Sequence, residues 1–153
     1  MKYLLLVLAS LIVFSNCHRT TDLSQLERVA YGESYGECAG YCDNSILLDA
    51  NSCTSTHLYF NYEPDYIGHD TICMEDYKGW ASLIKKIDFY SFKRLPDRIG
   101  CPDCADGGAE WIQITYDGEV YRVVFEAGDE PPTTSDYIEL LRAQLTLMQG
   151  ICL

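Results

Sequence analysis

Eight cysteines in 153 residues constrain this chain more than any other feature. Cys17, Cys38, Cys42, Cys53, Cys73, Cys101, Cys104 and Cys152 give a density suited to an oxidising, exported location and unsuited to a reducing cytosol. Their spacing does not fix connectivity. Two pairs are close in sequence, Cys38-x-x-x-Cys42 and Cys101-Pro102-Asp103-Cys104, and three chemistries compete for them. Structural disulfides, with Cys53 and Cys73 as further candidates, would staple loops that have few core contacts of their own. Thiol–disulfide exchange at Cys101 and Cys104 is the second, since two cysteines two residues apart can close and open an exchangeable bridge. Its sequence context is unfavourable, because Gly107-Gly108 and then a strand pattern follow where a dipole-bearing helix would be needed. The third is a four-thiolate zinc site from Cys38, Cys42, Cys101 and Cys104, two ligands from each of two loops, which an oxidising compartment disfavours. No cofactor is indicated.

The N-terminus agrees with export. Lys2 precedes an apolar run from Tyr3 to Phe14, which is too short to span a bilayer and is ended by Ser15, Asn16, Cys17, His18 and Arg19. Phe14-Ser15-Asn16-Cys17 resembles a bacterial lipoprotein box, in which the cysteine is acylated and becomes the mature N-terminus. The resemblance implies a signal peptide over 1–16, lipidation at Cys17, a tether over 17–24 and one domain over 25–153. Acyl chains on Cys17 would make a membrane the first partner and hold the domain at its surface. Removing Cys17 from the thiol count leaves seven, so one thiol has no intramolecular partner; Cys152, close to the chain end, is the expected one.

Composition excludes other classes. With 48% hydrophobic and 22% charged residues the chain can bury a core, and with 11 basic against 23 acidic residues its net charge is -12. A surface this negative repels phosphate backbones, so nucleic acid is not expected as a partner. No Gly-x-Ser-x-Gly, His-Glu-x-x-His, phosphate-binding glycine loop or dinucleotide fingerprint is present, and no catalytic residue can be named.

Residue patterns predict strands over Leu26 to Glu33, Ser45 to Asp49 and Ser55 to Tyr62, with a loop at Ser34 to Cys42 and a turn around Ala50 to Thr54. In the third strand Leu58, Phe60 and Tyr62 share one face, Tyr59 and Asn61 the other. Glu63 to Asp70 has turn composition and gathers carboxylates with His69, a combination in which a cation site is conceivable and solvated charge commoner. From Glu75 onward, Trp80, Leu83, Ile84 and Ile87 follow helical spacing, and Phe89, Phe92 and Leu95 continue apolar to Pro96. Asp117-Gly118 between two alternating runs predicts a two-residue hairpin. Pairing Tyr116 with Glu119 sets Ile114 opposite Tyr121 and Ile112 opposite Val123, so Ile112, Ile114, Tyr121, Val123 and Phe125 share the core face and Gln113 and Arg122 the other. A final helix is expected from a capping box at Asp136 and Glu139, with Ile138, Leu141, Leu145 and Met148 buried and Gly150 as its stop. The order β-β-β-α-β-β-α predicts a single α+β domain, its sheet mainly antiparallel and its helices on one face.

Gly36-Glu37-Cys38-Ala39-Gly40-Tyr41-Cys42 resembles the G-x-C-x-G-x-C opening of a family of small bacterial envelope lipoproteins defined only as a domain of unknown function. The order of later features is similar over most of the mature chain, although Asp43 stands where the family usually has proline and Cys101-Pro102-Asp103-Cys104 is an addition. The resemblance implies an envelope location, the outer membrane in a Gram-negative cell, and carries no catalytic residue. Together these readings predict a lipid-anchored, non-catalytic domain that binds another envelope protein or ligand through an acidic, tyrosine-rich surface. The alternative is a redox or zinc role at Cys101 and Cys104, beside Asp103, Asp106 and Glu110.

Overall fold

The computed structural model describes residues 21–60, 67–104 and 107–152, and along 59–60 and 67–72 the backbone only. The signal-peptide and lipidation readings at 1–17, and the side chains of the Glu63 to Asp70 segment, lie outside the described residues.

Seven strands form one sheet: β1 (Leu26–Ser34), β2 (Gly40–Leu48), β3 (Ser52–Phe60), β4 (Ile67–Asp76), β5 (Arg98–Ile99), β6 (Ala109–Tyr116) and β7 (Glu119–Glu126). Their spatial order is β4-β3-β2-β1-β6-β7-β5, antiparallel throughout except for the parallel β5–β7 pair. The α-helices among the described residues are α1 (Trp80–Ile84), α2 (Phe89–Phe92) and α3 (Ser135–Cys152). The α+β class and the single domain are as the pattern predicted.

The hairpin has the predicted register, with Tyr116 opposite Glu119, Ile114 opposite Tyr121, Ile112 opposite Val123 and Gln113 opposite Arg122. Asp117 (φ 52°) and Gly118 (φ 75°) both occupy the left-handed region, which a two-residue turn of matching twist requires. Ile112, Ile114, Val123 and Phe125 are buried, and half-buried Tyr121 packs against them. One core cluster joins this face to Val29 and Tyr31 of β1, Ile46 and Leu48 of β2, Leu83, Phe89 and Phe92 of the short helices, and Ile138, Leu141, Leu145 and Met148 of α3. Each such aliphatic side chain contributes roughly 1.5–3 kcal/mol of burial.

The other face of the sheet is thinner. Trp111 lies against Gly32 so closely that a Cβ there would meet the indole at 2.5 Å, and the Arg122 guanidinium sits 3.8 Å above the ring.

Several expectations are corrected. The helix predicted from Glu75 is the single turn of α1, because Glu75 and Asp76 still pair in β4 with Cys53 and Ser52. β4 itself and the two-residue β5 carry little alternating apolar signal and were not foreseen. β2 begins at Gly40, inside the expected loop, and β3 begins at Ser52, three residues before its expected start at Ser55. Along β3 the inward residues are Cys53, Ser55 and His57, and Leu58 lies on the opposite side, only half-buried. The capping box does not form: Pro132–Thr134 is a 3-10 turn closed by Thr134 donating to the Pro131 carbonyl, and Glu139 accepts from Arg142. Nor does Gly150 stop α3, which continues to Cys152 because its last turn is tied to β4 by a disulfide.

Candidate functional site

The cysteines resolve into three bridges among the described residues: Cys38–Cys42, Cys101–Cys104 and Cys73–Cys152, with Cα separations of 5.6, 5.4 and 5.9 Å. Cys152, expected to be unpaired, joins Cys73, and the free thiol among the described residues is Cys53. Strand register explains the exchange, since Cys73 lies opposite Ser55, whose hydroxyl is 3.5 Å from the Cys152 sulfur. Cys53 points into the core beneath α3, where burial raises its thiol pKa, whereas Cys73 faces the same helix from β4 within reach of its last turn. The four sulfurs considered as zinc ligands are held in two disulfides.

Both short bridges lie at one end of the sheet. Ser34 of β1 pairs with Asp43 of β2 and Ala109 of β6, and Ala109 pairs with Glu126 of β7, so the loops leaving these positions meet there. The Cys101–Cys104 loop docks on the Cys38–Cys42 loop through Asp103, whose Oδ1 accepts from the Gly36 amide at 3.1 Å. Asp103 has φ 60° and its amide donates to the Gly108 carbonyl, while Arg98 donates to the Pro102 carbonyl at 3.0 Å. Between the loops, Tyr35, Asp43 and Asp103 line a cleft of about 250 Å³. Burial raises the Asp43 carboxyl pKa against the opposing pull of Arg122. Of the residues expected around this loop, Asp103 serves as its brace, Asp106 lies outside the described residues, and Glu110 turns inward.

Beneath the cleft is a polar cluster that pattern reading did not single out. Glu110 accepts from Arg142 at 2.9 and 3.1 Å, from the Tyr31 hydroxyl at 2.9 Å and from the Gly128 amide at 3.1 Å. Arg142 also donates to Glu130 and Glu139. Burial works against the Arg142 charge, but the three carboxylates hold its pKa above the ordinary guanidinium value. Tyr31 is held well above the usual phenol range, first by burial and then by Glu110. Alongside, Glu33 receives only long bonds from Gln149 (3.4 Å) and Asn44 (3.5 Å), and Glu33 and Gln149 face, with Tyr31, Glu110 and Arg142, a small cavity of about 290 Å³. Asn44 Oδ1 can only accept, so His57 Nδ1, 2.8 Å away, carries a proton and donates to it. Burial lowers the His57 pKa and keeps the ring neutral, leaving Nε2 a buried acceptor without a partner. The signal that could have found this cluster is alternation itself: Tyr31 and Glu33 share the inward face of Val29, and a carboxylate on that face needs a partner.

The arrangement is suited to holding and bracing. Its one cation is shared by three carboxylates, and its histidine is sealed in the sheet. No group of three or more His, Cys, Asp or Glu side chains able to hold a metal occurs among the described residues. No helix there is long and apolar enough to cross a membrane. Comparison with protein-family models and with curated proteins returns no match. Fold and site together define a disulfide-stapled α+β domain with a braced, acidic loop end.

Proposed function

We propose that the protein is an exported, lipid-anchored component of a bacterial envelope, of the lipoprotein family its Gly36 to Cys42 segment resembles, and that its domain acts by binding another envelope component. The observation that carries this reading is the set of three disulfides, which an oxidising compartment would form and keep. The chain's point of entry supports it further. The Gln25 carbonyl accepts from the Asp117 amide at 2.9 Å, and Glu27 accepts from Gly118, so the segment leading from Cys17 meets the domain at the β6–β7 turn. The two short disulfide loops lie at the opposite end of the same strands. An anchor at Cys17 thus presents those loops, with Tyr35, Tyr41 and Asp103, away from the membrane.

Intact mass and thiol count of the natively isolated protein test the first half. An acylated chain beginning at Cys17, with three bridges and one thiol, is expected; an uncleaved or unacylated chain refutes the anchor. Crosslinking in intact cells from positions 35, 41 and 103 tests the second. A specific partner is expected, and its absence together with substrate turnover by the purified domain refutes binding. The rival reading, thiol–disulfide exchange at Cys101 and Cys104, is favoured by the exposure of both residues. A Cys101→Ser/Cys104→Ser variant with unchanged fold and cellular phenotype disposes of it.

A further inference from the structure

α3 carries two apolar stripes, of which the core uses one. Leu141, Leu145 and Met148 are buried, whereas Leu140, Leu147 and Ile151 are 42%, 54% and 52% exposed. At spacings of seven and four residues they lie on one flank of the helix, about 16 Å long at 1.5 Å per residue. That flank and the chain leaving β4 enclose a groove of about 680 Å³, floored by Tyr77, Ala143 and Met148. Its far rim carries exposed Glu75 and Asp76 against the single cation Lys78. Neither carboxylate is in an ion pair among the described residues, where the bridges are those of Arg142.

We infer that this groove docks an amphipathic helix of a basic partner protein, about three turns long, with apolar anchors against Leu140, Leu147 and Ile151 and Lys or Arg facing Glu75 and Asp76. An apolar wall beside an acidic rim is the arrangement that a basic amphipathic helix complements. A second copy of this chain fits less well, since its corresponding surface is again apolar and acidic and the net charge of -12 opposes self-association. The inference takes from the proposed function only that the domain has a protein partner; it does not depend on the anchor.

The test uses the full chain with Cys17→Ser, oxidised and free of lipid. The probe is a fluorescein-labelled, amidated 18-residue Leu/Lys amphipathic helix, compared with its scrambled sequence and with a Leu/Glu helix of the same pattern. Binding by the Leu/Lys helix at least tenfold tighter than by either control is expected, with hydrogen-exchange protection at 75–79 and 140–151. Leu147→Asp discriminates the source of binding, because it adds negative charge while removing an anchor. A loss of at least tenfold, with unchanged circular dichroism, supports docking; equal or tighter binding means bulk electrostatics alone and overturns the inference. Glu75→Lys/Asp76→Lys is expected to weaken the Leu/Lys helix at least tenfold, and indifference to it overturns the rim's role. A dimer in sedimentation that Leu147→Asp abolishes assigns the groove to a second copy and likewise overturns the inference. If in-cell crosslinking returns a partner from the disulfide-loop end and none from positions 140 and 147, the groove is refuted while the binding function stands.

Discussion

The three disulfides differ most in how much chain they close, and that difference sets their expected energies. Cys73–Cys152 spans 79 residues, whereas Cys38–Cys42 and Cys101–Cys104 span four and three. Loop-closure entropy of the unfolded chain then gives roughly 4.5 kcal/mol for the long bridge and roughly 1.9 and 1.6 kcal/mol for the short ones at 25 °C. Each paired Cys→Ala variant removes one bridge without leaving a lone thiol from that pair. Urea unfolding of the oxidised proteins should place Cys73→Ala/Cys152→Ala about 2.5–3 kcal/mol below either short-bridge variant in stability. Its m-value should also be larger, because an unfolded chain freed of the long loop exposes more surface. In thermal scans its midpoint should fall by about 15 °C, against about 5–6 °C for the others. If all three variants lie within about 1 kcal/mol of one another, the chain-entropy argument fails and the bridges act through native contacts instead.

Arg142→Leu leaves Glu110 as a buried carboxylate without its cation and should cost about 3–5 kcal/mol by urea unfolding, whereas Arg142→Lys recovers part of that loss. Gly32→Val forces Trp111 off the sheet and should cost about 1–3 kcal/mol, with a change in indole fluorescence; retention of wild-type emission would contradict the close contact. Burial, with a further push from Glu110 and against the Gln149 bond, raises the Glu33 pKa, so its ionised form is disfavoured in the folded protein. The contribution of Glu33 to stability is therefore fullest below about pH 4.5 and is lost as pH rises through the raised folded value. Glu33→Gln should consequently stabilise at pH 7 and give no gain below about pH 4, as measured by unfolding at both pH values.

How far the residues announced this architecture depended on local chemistry. Asp117-Gly118 dictates a turn of one hand and length, so the hairpin register followed without any tertiary information. The buried stripe of α3 was equally plain from Ile138 to Met148. β4 was hidden because Ile67–Asp76 alternates poorly and ends in Glu75-Asp76, which reads as the acidic start of a helix; only pairing with β3 makes it a strand. Cys152 reads as unconstrained because it stands near the chain end, and only the packing of α3 brings its last turn over β4. The polar cluster was hidden for a related reason. Arg142 lies 32 residues from Glu110 and 12 from Glu130, and only the packing of α3 on the sheet brings them together.

Cys73–Cys152 also decides how the domain would bear tension. Force applied between the start of β1 and the end of α3 passes from Cys152 across the sulfurs into β4, and the stretch between 73 and 152 is bypassed. In the oxidised protein β5, β6, β7 and the three helices are not on the load path, and the extensible length is confined to the first four strands. Reduction would add the whole bypassed stretch to the chain that can be drawn out, so the same pull would give a far longer extension from an otherwise identical fold.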